Sequence, residues 1–179
     1  MGGVEALTAL LAGYPALCPP TVITLQAEPA LVETFIARLD AELKCAVRPA
    51  KDGAMLTPGH VYIAADPEKH AVFEPGDPPR VRLVARDPVE GARPSATLLF
   101  GTLARAGVPA VGAVLTGMGE DGAKGLKLMR DAGCKTFVQD RASALVSEAP
   151  AAAMAAGAAD QELRLDKLAE TVIAICNQA

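Results

Sequence analysis

The segment Thr116-Gly117-Met118-Gly119-Glu120-Asp121-Gly122 sets two adjacent carboxylates among three glycines. It follows the apolar stretch VPAVGAVL and precedes AKGLKLMRDAG, whose apolar spacing is helical and stops on a glycine. The expected local structure is a strand that breaks into a glycine-rich turn and opens a helix. In open parallel sheets, ligands and catalytic groups gather beyond the carboxyl ends of strands, which is where this turn would lie.

Three readings of the turn compete. Gly117, Gly119 and Gly122 satisfy G-x-G-x-x-G, and Asp140 follows about 20 residues on, where a dinucleotide ribose would be held. Glu120 and Asp121 would then stand where a pyrophosphate must approach backbone N–H groups, and both would repel it. In the second reading Asp121 is the N-cap of its own helix, a job worth about 1 kcal/mol, which leaves Gly117 and Gly119 unexplained. In the third the turn serves a hydrolase. A carboxylate at the mouth of a sheet orients an imidazole, and glycines let a backbone N–H face a tetrahedral oxyanion.

A hydrolase also needs a nucleophile and a base. Ser95, Ser143 and Ser147 are the only serines, and none lies in a glycine-flanked nucleophile elbow. Cys18, Cys45, Cys134 and Cys176 are scattered, without the close spacing of a zinc or redox pair, and read as small buried hydrophobes or free thiols. His60 and His70 flank the run VYIAA with no third ligand at a suggestive spacing, so neither a metal nor a cofactor is expected.

The elements that must position the turn follow from periodicity. VEALTALLAG (4–13) has helical spacing, TVITLQ (21–26) is a β-branched strand, and Leu31, Phe35, Leu39 and Leu43 form a stripe on a helix over 29–44. Residues 46–86 read as short strands in hairpins, with turns at Pro58-Gly59 and EPGDPP. A helix over 95–107, a strand over 110–115, the glycine turn, a helix over 122–132, and strands over 135–139 and 143–147 come next. Helices over 150–157 and 164–177 close the chain. This alternation predicts an α/β fold: a doubly wound, mostly parallel sheet with helices on both faces and a small β-hairpin region.

The chain has 179 residues, is 51% hydrophobic and 21% charged, and carries a net charge of −4. Those values suit a single globular domain spanning 1–179. Without a basic block or a tryptophan, nucleic acid and anionic membranes are poor partners. No apolar run is long enough for membrane insertion, and the expected compartment is the cytoplasm.

VLTGMGEDGAKGLKLMRDAGCKTFVQD resembles the catalytic domain of CheB-type protein-glutamate methylesterases, where the segment runs ILTGMG-x-DGA-x-G, a helix, AG and T-I-A-Q. GGVEAL (2–7), RLD (38–40), DG (52–53), PGHVYIA (58–64), His70, and RPS with LLF over 93–100 match in order across the chain. The resemblance implies chemotaxis-type signalling and a Ser-His-Asp triad that removes methyl esters from chemoreceptor glutamates. It puts the triad acid on Asp121 and the backbone oxyanion donor on Met118. Gly2, Gly3, Gly117 and Gly119 line the place where substrate would bind.

Two parts of that machinery do not carry over. The family's serine would stand one residue before Met1, and its Q-H-M segment reads Gln26-Ala27-Glu28, so Ala27 occupies the histidine's place. Ser147-Glu148-Ala149-Pro150 also replaces a phenylalanine-glycine-methionine-proline-like loop, and Ala65 replaces a proline. The expectation is therefore an inactive methylesterase domain acting as a binding or regulatory module, partnered by a methyl-accepting chemoreceptor or a related signalling protein. The family's first strand is missing from the recorded sequence. An upstream strand ending in a glycine-rich turn, with room there for the serine, is expected in the natural chain. No receiver domain is expected ahead of the fold.

Overall fold

The computed structural model describes residues 2–178. Met1, on which the expectation of an upstream strand turns, lies outside them. The chain divides into two units, one joining residues 1–13 to 96–179 and the other comprising residues 14–95.

The first unit holds the glycine turn. In chain order it contains α1 (Gly3–Leu11), then, after the second unit, α3 (Ala96–Ala106), β7 (Val111–Val114), α4 (Ala123–Asp131), β8 (Lys135–Gln139), α5 (Glu148–Ala155), β9 (Gln161–Leu163) and α6 (Leu165–Cys176). Its sheet has the order β7-β8-β9 and is parallel throughout, with Val111 beside Lys135 and Phe137 beside Gln161. Parallel neighbours need long crossovers, and the helices supply them. Val114, Leu126, Val138, Ala149, Ala153 and Ala158 form a buried core in which alanines let the helices approach closely.

The approach is closest between α3 and α4. A Cβ added at Gly125 would lie 2.5 Å from the Thr97 carbonyl oxygen, so only glycine fits there. Gly112 has the same role on β7, where a Cβ would meet Leu126 Cδ1 at 2.7 Å.

The second unit contains β1 (Thr21–Thr24), α2 (Pro29–Glu42), β2 (Ala46–Pro49), β3 (Ala54–Met55), β4 (His60–Ala64), β5 (His70–Glu74) and β6 (Arg80–Val84). Its parallel sheet is ordered β1-β4-β2, and β3-β6-β5 form an antiparallel sheet. Asp52 secures the latter, its Oδ1 accepting from Arg82 Nε at 2.8 Å and the Leu83 N–H at 2.9 Å. Proline at the first turn opens α2, and at its far end Asp40 accepts the Val47 N–H at 3.0 Å, directing the chain into β2.

The α/β class with parallel sheets and covering helices is what the sequence predicts. Three local expectations are corrected. Leu31 is 66% exposed, and α2 buries Val32, Phe35, Ile36 and Leu39 instead, because a 3.6-residue period needs alternating steps of three and four. β2 and β4 are not hairpin strands but pair in parallel, leaving only β5–β6 as a hairpin around EPGDPP. No strand forms over 143–147. That segment turns back on the glycine turn, and the third strand is β9, whose Gln-Glu-Leu sequence carries no apolar run. Among the described residues no helix is long and apolar enough to cross a membrane.

Candidate functional site

The glycine turn hangs from the end of β7 by a dense set of main-chain bonds. Thr116 is buried; its N–H donates to Gln139 Oε1 at 2.9 Å, and its hydroxyl donates to the Val146 carbonyl at 3.0 Å. The Val146 N–H returns a bond to the same hydroxyl at 2.9 Å. Gly117 then donates to the Val146 carbonyl at 3.0 Å and accepts from the Ala149 N–H at 3.1 Å. The segment expected to be a strand is therefore a clamp. The main-chain N–H and C=O of Val146 are satisfied by the turn, which removes them from any ladder.

Gly119 turns the chain with φ +76° and donates its N–H to Glu148 Oε2 at 2.9 Å. Met118 is 67% exposed, and among the described residues its N–H has no hydrogen-bond partner. Gly2 caps α1 with φ +80°, and Gly3 is the first residue of that helix. A Cβ on Gly2 would lie 2.9 Å from Leu145 Cβ and 3.3 Å from Thr116 Cγ2. Within the first unit, the structure thus brings Gly2 beside the root of the turn that carries Gly117, Met118 and Gly119.

Asp121 caps a helix other than the one it precedes, α3. Gly122 takes a left-handed conformation at φ +95° and is itself the N-cap of α4, with no side-chain cap bond. Asp121 precedes that cap. Its carboxylate faces the start of α3, accepting the Ala96 N–H at 2.7 Å and the Thr97 N–H at 3.1 Å. The Gly122 N–H is in turn taken by Thr97 Oγ1 at 2.8 Å. The sequence reading missed Thr97, Gln139 and Glu148. The signal for Thr97 was present in Ser-Ala-Thr ahead of an apolar helix, a usual capping composition.

Ala27 belongs to the second unit, half-buried between β1 and α2, and offers only a methyl group. Beside it, Gln26 Nε2 donates to the Pro94 carbonyl at 3.1 Å, and Glu28 is the N-cap of α2. Both histidines also lie in this unit. His70 is fully buried; its Nδ1 accepts the Ser95 N–H at 3.2 Å, leaving Nε2–H to donate to the Asp87 carbonyl at 3.1 Å. His60 sits at the amino end of β4, with Nδ1 3.1 Å from both Thr57 Oγ1 and the Pro58 carbonyl and its ring stacked on Tyr62. Both rings are engaged by local structure.

Three other candidate nucleophiles, Cys18, Ser95 and Ser143, are held by their surroundings. Burial, and then the neighbouring Cys45 thiol, push Cys18 up to about 12, so it is not a thiolate near neutrality. Ser95 is fully buried, and its main-chain N–H donates to His70 Nδ1 at 3.2 Å. Ser143 donates to the Asp140 carboxylate, which makes Asp140 part of a turn rather than a ribose ligand. A pyrophosphate at Gly119 would meet the carboxylate of Glu148 already seated on that amide.

These features have a common ancestry. A family model described as CheB methylesterase matches residues 1–172. The chain is 45% identical over 173 residues to a protein-glutamate methylesterase/protein-glutamine glutaminase of Caulobacter vibrioides, covering 96% of this chain and 50% of that protein. A homologue from Rhizobium etli with the same description is 44% identical, again over 96% of this chain and 50% of its own length. The chain thus spans about half the length of the curated relatives it matches. Among solved structures, the CheB methylesterase catalytic domain of Thermotoga maritima superposes with a TM-score of 0.91 at 26% identity, covering 97% of this chain and 93% of that one. Motif, fold and similarity across nearly all of this chain agree, and the chain belongs to the CheB methylesterase family.

Proposed function

We propose that this chain is a methylesterase-type domain of chemotaxis-type signalling that binds receptor glutamyl side chains without hydrolysing them. Its partner is a methyl-accepting chemoreceptor or a related signalling protein, and its compartment is the cytoplasm. The observation that carries the reading is Ala27, which the resemblance sets in the place of the family's general base. A methyl group cannot take the proton of an attacking hydroxyl. His60 and His70 are both held by hydrogen bonds of their own unit, and His70 is fully buried. Losing the base from a Ser-His-Asp site costs about 10⁶ in turnover, leaving only what the oxyanion donors and binding supply.

Those donors support retained binding. The Met118 N–H is open, the glycine turn is clamped, and the exposed Met118 side chain offers an adaptable apolar contact. A carbonyl oxygen of an esterified or amidated glutamate fits such a group, and the homologues' described activities act on those two side chains. Asp121 keeps the place of the triad acid while serving α3.

The test is methanol release from methylated receptor membranes. No release above the buffer rate is expected. Release that disappears in Asp121→Asn would replace this reading with an active esterase, the second reading that the intact glycine turn favours. Labelling of the natural protein by a fluorophosphonate probe would point the same way.

A further inference from the structure

The amides of Met118 and Gly119 are consecutive, yet they are in opposite states. Gly119 donates to the Glu148 carboxylate at 2.9 Å, while the Met118 N–H is open. Glu148 begins α5 and is exposed, and the Ala149 N–H bond to the Gly117 carbonyl holds it against the turn. Glu120, one residue beyond Gly119, adds a second exposed carboxylate. Any oxygen that reaches the Met118 N–H therefore arrives next to a fixed negative charge. A carbonyl oxygen bears no net charge and is tolerated; a carboxylate oxygen is repelled.

We propose that Glu148 is a specificity-determining residue that makes this turn a reader of modification state, accepting the neutral side chains of glutamyl methyl ester or glutamine and rejecting free glutamate. This rests on the binding-module reading and assigns its selectivity to one side chain. The discrimination is built by repulsion of the wrong ligand rather than by extra contacts to the right one. It also differs from a purely structural role for Glu148, which would alter affinity for all three side chains alike.

The experiment uses three otherwise identical receptor-helix peptides carrying one glutamyl methyl ester, one glutamine or one glutamate, titrated calorimetrically into the whole chain. Mass spectrometry checks that the ester survives. At ~0.1 M salt the ester and glutamine peptides are expected to bind about tenfold tighter than the glutamate peptide, with the gap narrowing at ~1 M as the charges are screened. Glu148→Gln keeps a carbonyl oxygen for the Gly119 N–H but removes the charge, and the ratio is expected to fall to within about twofold. Equal binding of all three peptides by the unmutated chain, or an unchanged ratio in Glu148→Gln, overturns the assignment and leaves the binding-module reading standing. Failure of every peptide to bind overturns both.

Discussion

Asp121 and Thr97 cap each other's helices: the Asp121 carboxylate accepts the Thr97 N–H at 3.1 Å, and Thr97 Oγ1 accepts the N–H of Gly122 at 2.8 Å. Asp121, to which the resemblance assigns the triad acid, thus sits at a joint between α3 and α4, and with its second oxygen it also holds the Ala96 N–H at 2.7 Å.

Removing this carboxylate leaves two amides at the start of α3 without their acceptor. Asp121→Ala is expected to cost about 1–2 kcal/mol of stability, the usual range for a lost cap. Asp121→Asn keeps one oxygen acceptor and is expected to cost less. Urea unfolding of both variants checks the order, and a larger loss in the asparagine variant would contradict the capping role.

Gly125 is the second element of the same joint. Alanine normally favours a helix interior over glycine, but here its Cβ would lie 2.5 Å from the Thr97 carbonyl oxygen and 2.9 Å from Phe100 Cβ. Gly125→Ala is expected to destabilise by about 1–3 kcal/mol, the range for overpacking. Thermal unfolding would show a lowered Tm, whereas an unchanged or raised Tm would mean that the helices separate without penalty.

Cys18 has no exposed surface, and burial followed by the adjacent Cys45 thiol pushes it up to about 12. At pH 8 only about 1 in 10⁴ of such thiols is ionised. Alkylation of Cys18 by iodoacetamide is therefore expected only after unfolding, with a rate that tracks the denaturant. Peptide mapping after brief treatment of the native protein checks this.

Asp160 links β8 to the segment before β9. Burial by itself would raise its carboxyl, but the Thr136 N–H, at 3.0 Å, and the Arg130 guanidinium outweigh it and hold the group below the usual carboxylate value. Because the folded value is depressed, the stabilisation is fully present above the unfolded value of about 3.9 and is lost as pH falls through the folded value. Asp160→Asn is expected to flatten the acid limb of the stability curve below about pH 4 while lowering stability at neutral pH. Denaturant melts from pH 3 to pH 7 check both parts.

Much of the fold was legible because strong local patterns coincided with tertiary demands. Lys135–Gln139 centres on Phe137 and Val138, lies between Gly133 and a turn, and forms β8 as read. The 143–147 segment has strand-like residues, yet the Thr116 hydroxyl and the Gly117 N–H compete for Val146 and win. β9 was invisible for the opposite reason. Its exposed Gln161 and Glu162 pair through the main chain alone, leaving no side-chain signal.

For the site, the TGMG-x-DG motif pointed to the family, spacing pointed to the glycine turn, and position 27 is plainly alanine, because these depend on which side chains exist. Which amide stays open depended on the tertiary structure. Glu148 is 29 residues from Gly119 and reaches it only because the turn and the start of α5 fold against each other. Two partners of Asp121 were also decided in three dimensions: the Ala96 and Thr97 amides lie 25 and 24 residues before it and reach its carboxylate only once α3 packs beside the turn. Side-chain identity is written locally, whereas hydrogen-bond partnership between distant segments exists only once the chain has packed.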